Sequence, residues 1–600
     1  MLSPFRWFAI PLIALLCHGC SSKKEEPAEE ISTSLPAVQD VAVVVATEGE
    51  RDPIADESAI RGGVLNTWGG PYPKSLNYWV DPNSFSGNVM GLMFESLAGL
   101  HPTEDRLIGG LAESWEISED GMTFTFKLRS EAKWSDGKAI TASDVQFYYD
   151  TIMDPKNLTT VFRVGMSRFE RPEVIDDRTI RATAKKQHWS NLSEVAGWMA
   201  FPQHAWQGKN FNEISFDFPV VSGPYSLSEV RTNRFILLKR RGDWWGRVLP
   251  FNVGKFNFDY IRYRAMEDRN KALEALKKED FDLYPIYTAL IWAKQTDFPQ
   301  VQKGWVVRQE ILNSEPKGFQ GLAMNLRRPQ FQDPKVRRAL AHLLNREMMN
   351  DKLMFHQYFL LNSYYPDLFE GNQNPEAPLL PYDPKAARSL LAEAGYTANA
   401  QGRLEKDGQL LKIVILNHQD DNRHMTIYLE DLKAVGIEAS IDQLTYASYA
   451  KRIDEYDYDM TWLAFGAGRD RDPEPMWLST QAKEPSSLNI PGVEDPKIDA
   501  LIEQQKTELN LSKRNEILRG IDDRLTEIMP YVLLWQSDRT KLLYWNKFGM
   551  PKNPLGKFGR EDAAVAYWWF DPAKESALRE AMKNNSDLPK PPAIVTFSDE

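Results

Sequence analysis

Ala112-Glu113-Ser114-Trp115-Glu116-Ile117, then Ser118-Glu119-Asp120-Gly121, then Met122-Thr123-Phe124-Thr125-Phe126-Lys127-Leu128 run on without a gap. Apolar and polar residues alternate on both sides of a turn-forming tetrapeptide, the pattern of a β-hairpin with one buried face. Phe124, Phe126 and Leu128 share that face. Further on, Lys133-Trp134-Ser135-Asp136-Gly137 carries turn chemistry at Asp136-Gly137. Thr141-Ala142-Ser143-Asp144 reads as a capping box with Asp in place of Glu, opening a helix with Val145, Phe147 and Tyr148. The stretch from 105 to about 215 is thus a β-rich insertion, and the rest of the chain has a different rhythm.

That rhythm is strand-helix-strand. Lys412 to Leu416, a helical run from His424 to Val435 stopped by Gly436, and Ile437 to Ile441 form one βαβ unit. Phe258 to Arg264, a helix across Arg269 to Lys278, and Phe281 to Tyr284 form another. Part of the sheet is therefore expected to be parallel, and the class is α/β with mixed sheets and flanking helices. Asp333-Pro334 and Asp383-Pro384 each place an N-cap before a first-turn proline. Val336, Ala339, Leu340, Leu343 and Leu344 make a core-facing stripe after the first of them.

The ends differ from the middle. Trp7 to Leu16 is too short to span a membrane and reads as the apolar part of a leader over residues 1–19. Cys17-His18-Gly19-Cys20 resembles a bacterial lipoprotein cleavage site with lipid on Cys20, although Cys17 and His18 depart from the usual aliphatic and small residues. Residues 20–60, rich in Ser, Glu, Ala and Val, read as a disordered linker, with the apolar run Val41 to Val45 unexplained. Residues 584–600, with Pro589, Pro591 and Pro592, read as a disordered tail.

Composition narrows the chemistry. The 600 residues carry a net charge of −12, which argues against nucleic acid as a partner. Both cysteines lie in the leader region, so the folded part has neither disulfide nor Cys-based metal site. No Gly-x-Ser-x-Gly elbow, phosphate-binding loop or His-Glu-x-x-His helix occurs. Gly466-Ala467-Gly468 fails as a dinucleotide loop because Arg471 takes the third glycine position. His418 and His424, around Asp420 and Asp421, read as surface decoration. The chain holds 18 Trp, 22 Tyr and 29 Phe, enough to build a core and to line a site for varied ligands. An exported chain of this size without a nucleophile or metal motif favours binding over catalysis; no catalytic residue, metal or cofactor is expected.

Ala112 to Trp115, Asp120-Gly121, Leu128-Arg129, Lys133 to Gly137 and Thr141 to Val145, in that order, resemble the signature stretch of the family 5 extracellular solute-binding proteins of ABC importers. Ser222-Gly223-Pro224-Tyr225, Met324-Asn325-Leu326, Val336 to Leu340 and Tyr382-Asp383-Pro384 to Tyr396 resemble later blocks, so the likeness runs from Arg61 to Lys583. Phe331 to Pro334, Gln357-Tyr358, Trp545 to Gly549 and Tyr567-Trp568-Trp569 are most similar to the branch that binds microcin C and related oligopeptides.

The resemblance implies a two-lobed periplasmic-binding-protein fold of type II, in the large cluster with an extra subdomain. Residues 61–104, 215–318 and 535–583 would build lobe I, 105–214 its extra subdomain, and 319–534 lobe II. It implies a lipid-anchored protein of the periplasm or cell envelope, touching the membrane through its lipid only. This would be a monomer that captures peptide-like compounds and delivers them to an ABC permease and ATPase complex. Members of this kind hold the ligand backbone in strand-like hydrogen bonds and its amine on an acidic residue. The corresponding stretch here is Tyr458 to Pro473, which offers Trp462 and Phe465. The amine-holding position aligns near Gly468, so Asp470 or Asp472 would substitute. Tyr72 and Asn77 follow the first strand where members approach the ligand, and Trp244-Trp245 belongs to the core. Other readings are a sugar or nickel-chelate cargo, a sensory or chaperone-like binder without a permease, or a secreted hydrolase such as a glycosidase, which would need a convergent acid and base.

Overall fold

The computed structural model describes residues 44–45, 49–418, 422–484 and 487–599. The leader, Cys17, Cys20, Asp420 and Asp421 lie outside the described residues.

Val64–Gly70 is the centre of an eight-stranded mixed sheet. Tyr260–Ala265 pairs parallel to it on one side and Leu283–Pro285 parallel on the other. The full order is Ile594–Thr596, Val306–Leu312, Arg539–Trp545, Leu283–Pro285, Val64–Gly70, Tyr260–Ala265, Phe235–Arg240, Tyr225–Arg231. The helix Arg269–Lys277 joins the two parallel neighbours, capped by Asp268, whose carboxylate accepts the Asn270 and Lys271 N–H groups. The crossover thus skips one strand, where the sequence suggests adjacent ones.

The second lobe is built on five strands in the order Glu438–Gln443, Lys412–Asn417, Met460–Phe465, Phe319–Met324, Tyr531–Leu533. Lys412–Asn417 and Glu438–Gln443 are parallel in register. The helix Arg423–Ala434 between them buries Met425, Tyr428, Leu429 and Leu432, spaced at three and four residues. Asp333 caps Pro334–His342 through the Lys335 N–H at 2.9 Å. The chain passes from Leu312 in one sheet to Phe319 in the other, and returns from Leu533 to Arg539.

The insertion forms an antiparallel sheet of Val44–Val45, Ala112–Ile117, Thr123–Leu128, Thr179–Thr183 and Glu173–Asp176. The hairpin register sets Trp115 opposite Phe126 and Ile117 opposite Phe124. Asp144 is buried beneath it. Its carboxylate accepts from the Thr141 N–H and hydroxyl (2.9 and 3.0 Å), the Gln203 N–H (3.1 Å) and the Trp134 indole (3.3 Å). The insertion shares one core with the eight-stranded sheet; the second lobe has its own. Trp244 and Trp245 are buried, each indole donating to Glu95.

Two expectations at the ends are corrected. The tail is not free: Ile594–Thr596 pairs parallel to Glu310–Leu312 and extends the eight-stranded sheet. The linker is not disordered throughout. Val44 and Val45 pair with Trp115 and Ser114, and Asp52 is buried, accepting from Lys255 Nζ (3.0 Å) and the Tyr567 hydroxyl (2.9 Å). A composition that looks solvated is here satisfied by partners far along the chain.

Candidate functional site

The two crossing segments bring the edges of both lobes together around a cleft with two arms. The larger, about 1180 Å³, is lined from the first lobe by Met266 to Lys271 and Tyr287 to Ile291, and from the second by Gln320, Leu353, Tyr358, His418, Trp462 and Trp535. The narrower, about 500 Å³, is lined by Lys317, Gly466 to Arg469, Arg539, Lys541, Arg560 and Glu561 among others. Tyr287, Gln320 and Tyr358 line both arms, so the space is continuous.

Local structure explains who faces it. Phe319 pairs with Phe465, and a Cβ on Gly318 would run into the Phe465 carbonyl oxygen, so only glycine fits just before that strand. On the neighbouring strand, Met460–Phe465 pairs with Lys412–Asn417 through Met460 and Thr461 alone, and its later residues run past that partner towards the cleft. The Trp462 indole is aimed across the sheet and donates to Gln320 Oε1 at 3.1 Å. Tyr358 reaches from the second lobe, and its hydroxyl donates to the Tyr287 carbonyl of the first at 3.1 Å.

The narrower arm is crowded with charge. Arg539 pairs with Glu310 and Asp538 at 2.7 Å each. Arg560 pairs with Glu315 at 3.2 Å, and the Tyr287 hydroxyl donates to Glu561. Burial raises the Glu315 carboxyl above its usual range and lowers the Lys317 ammonium below its own. Burial also brings Lys541 down to about 8.

Beside the cleft runs a seam where the insertion touches the second lobe. Arg469 donates to the His101 carbonyl and to Asp105, both at 2.6 Å, with its guanidinium over the Phe558 ring. The Trp189 N–H donates to the Lys506 carbonyl at 2.9 Å. His188 Nε2 lies 3.8 Å from Asp472. His188, Asp472 and Glu474 could in principle hold a cation among the described residues. However, Lys506 already sits 3.0 Å from Glu474. Burial, then the charges of Arg168, Lys506 and Arg514, push His188 down to about 3; those three positive neighbours repel a second cation.

The six residues singled out from sequence fall in different places. Trp462 lines the larger arm. Phe465 packs against Phe319 and Tyr531 in the aromatic core of the second lobe, and lines neither arm. Asp470 is exposed, and Asp472 belongs to the seam, where its carboxylate accepts the Glu474 N–H. Tyr72 stacks on Phe216 inside the first lobe. Asn77 is buried, donates to the Phe211 carbonyl at 2.8 Å and lines a separate cavity of about 710 Å³ in the first lobe. His418 and His424 are not surface decoration: both are half-buried and line the larger arm. Sequence reasoning passed over Tyr287, Gln320 and Lys541 altogether. Their only local signal is a polar residue within an apolar strand or beside one.

A cleft between two lobes joined by two crossing segments is the architecture of a solute-binding protein. The chain matches the bacterial extracellular solute-binding proteins, family 5, over residues 106–487, and belongs to that family. It is 29% identical over 533 residues to the uncharacterized protein y4wM of Sinorhizobium fredii, covering 80% of this chain and 79% of that one. It is 26% identical over 530 residues to the probable peptide-binding protein YejA of Agrobacterium fabrum, covering 80% and 85%. The oligopeptide-binding protein AppA from Bacillus subtilis, solved with a nonapeptide, superposes with a TM-score of 0.71 over 86% of this chain and 100% of its own at 20% identity. The fold is therefore the two-lobed periplasmic-binding-protein fold. No helix among the described residues is long and apolar enough to cross a membrane.

Proposed function

We propose that this protein is the capture component of an ABC importer, taking peptides or peptide-like compounds into the interlobe cleft and handing them to a permease and ATPase complex in the membrane. The observation that carries this reading is the continuous two-armed cleft, lined from both lobes and roomier than a site for one small metabolite. The residues of Met460–Phe465 beyond its pairing with Lys412–Asn417 offer a strand edge for an extended backbone. Trp462, Trp535, Tyr287 and Tyr358 supply aromatic walls that accept varied side chains. The family, and a relative called peptide-binding, support the same cargo. Trp462 is the ligand contact retained from the sequence reading; Asp472 acts at the seam instead. The lobes divide near residues 105, 215, 319 and 535, lipid on Cys20 holds the chain to a membrane facing the periplasm, and the protein works as a monomer without catalysis.

A second reading, a metal chelate as cargo, draws on His418 and His424 in the larger arm.

The test is calorimetry on the full chain, stripped of ligand by unfolding and refolding. Tri- to octapeptides, a murein tripeptide, a peptide-nucleotide conjugate, nickel chelates and oligosaccharides form the panel. Peptide binding that weakens on Trp462→Ala is the expected result. Binding of chelates or sugars with no response to any peptide would overturn the cargo.

A further inference from the structure

We propose that Lys541 is the receptor for an anionic group on the cargo, a carboxylate or a phosphate, seated in the narrower arm of the cleft. The proposal rests on the peptide-importer reading for its cargo, though not for the site itself.

A buried ammonium without a counter-ion is costly, so proteins pair such groups or reserve them for a ligand. The other cations of this arm are paired: Arg539 with Glu310 and Asp538, Arg560 with Glu315, Arg469 with Asp105. Lys317 Nζ lies 3.9 Å from Glu315. Lys541 is 6% exposed, and among the described residues no carboxylate oxygen lies within 4.0 Å of its Nζ. Its contact is the face of the Tyr358 ring, 5.2 Å away. The acid beside it in register is Glu310, whose two oxygens are already taken by Arg539 (2.7 Å) and the Trp292 indole (2.9 Å). The two carboxylates lining the arm are engaged as well, Glu315 by Arg560 and Glu561 by Tyr287. The protein therefore supplies a desolvated cation facing an open cavity and withholds the partner. An anion placed there would form a charge-assisted contact in a site poor in water. Lys541 belongs to the first lobe, and Gly466 to Arg469 line the same arm from the second, so an anion held there would lie against both lobes and favour closure.

Matched ligand pairs test this on the full chain stripped of ligand. Penta-alanine is compared with its C-terminal amide, and a hexapeptide amide with the same peptide carrying a C-terminal phosphoramidate-linked nucleotide. Inorganic phosphate alone and a nickel chelate complete the set. Affinities are measured for wild type, Lys541→Met and Lys541→Arg, with cooperative thermal unfolding as the folding check. We expect wild type to bind the anionic member of one pair about tenfold to hundredfold more tightly. Lys541→Met should lose that ratio while keeping its affinity for the amide, and Lys541→Arg should keep part of it. The pair that responds tells carboxylate from phosphate. Peptide binding with no preference for the anionic member, or a preference that survives Lys541→Met, overturns the Lys541 site and leaves the peptide reading standing. No peptide binding, but Lys541-dependent binding of the chelate, overturns the peptide reading and keeps the site. Inorganic phosphate binding as tightly as any conjugate makes the site one for free ions and overturns its role in cargo recognition. Failure of every probe overturns both.

Discussion

The Trp189 indole N–H donates to Gln505 Oε1 at 2.8 Å, joining the insertion of the first lobe to a helix of the second. The Arg514 guanidinium covers the same ring at 4.3 Å. The ring therefore belongs to a contact that exists only while the lobes are together. Ligand binding favours the closed state by as much as it prefers that state over the open one.

Trp189→Ala should shift the protein towards the open form. Losing one hydrogen bond and one cation–π contact, together worth about 1–2 kcal/mol, weakens ligand affinity roughly fivefold to thirtyfold. Calorimetry measures this directly. An unchanged dissociation constant would mean that the seam contributes nothing to closure.

Lys541 makes stability depend on pH in an unusual direction. Its folded pKa, drawn down by burial to about 8, lies below the roughly 10.4 of an unfolded lysine. Between those values the unfolded chain holds the extra proton, so the ligand-free protein gains stability as pH rises. Lys541→Met should be more stable than wild type below pH 8, by about 2–3 kcal/mol, with the gap closing towards pH 10. Urea midpoints for the two proteins from pH 6 to 10 measure it. Parallel curves would show that the ammonium is not desolvated.

Asp144 ties a turn, a helix start and Trp134 together through one buried carboxylate. Asp144→Ala leaves those donors without an acceptor and should cost about 2–4 kcal/mol. Asp144 lines neither arm of the cleft, which predicts a lowered urea midpoint with cargo affinity unchanged. A change in affinity as large as the change in stability would contradict this separation.

Ending the chain at residue 591 removes Ile594–Thr596 and exposes the edge of Val306–Leu312. An uncovered edge loses pairing and invites association. The melting temperature should fall by about 2–5 °C, and light scattering should reveal concentration-dependent self-association. A truncated chain that behaves like the full one would mean that this strand is ornamental.

Local rules account for what was legible in the sequence. Phe124, Phe126 and Leu128 announce their buried face through a period of two, and Asp333 announces a helix start because a cap and its proline are adjacent. The cleft was less legible because it is assembled from segments far apart. Nothing near Lys541 tells that Tyr358 will cover it, or that Arg539 will already hold Glu310. Asp472 looked like a ligand group because the family resemblance sets the amine-holding position near Gly468, a few residues before it, yet the chain has turned into the seam by that point. Ile594–Thr596 was hidden by the prolines before it, since three residues carry no periodic signal of their own.

Both described ends of the chain are fastened to the same lobe, one through Asp52 and its bonds from Lys255 and Tyr567, the other through Ile594–Thr596 in the sheet. The second lobe hangs from two straps, at residues 312–319 and 533–539. A pull applied upstream of Asp52 is taken up by the first lobe and never crosses those straps. Tension entering there would be borne by one jaw, and the hinge of the other would stay free to swing.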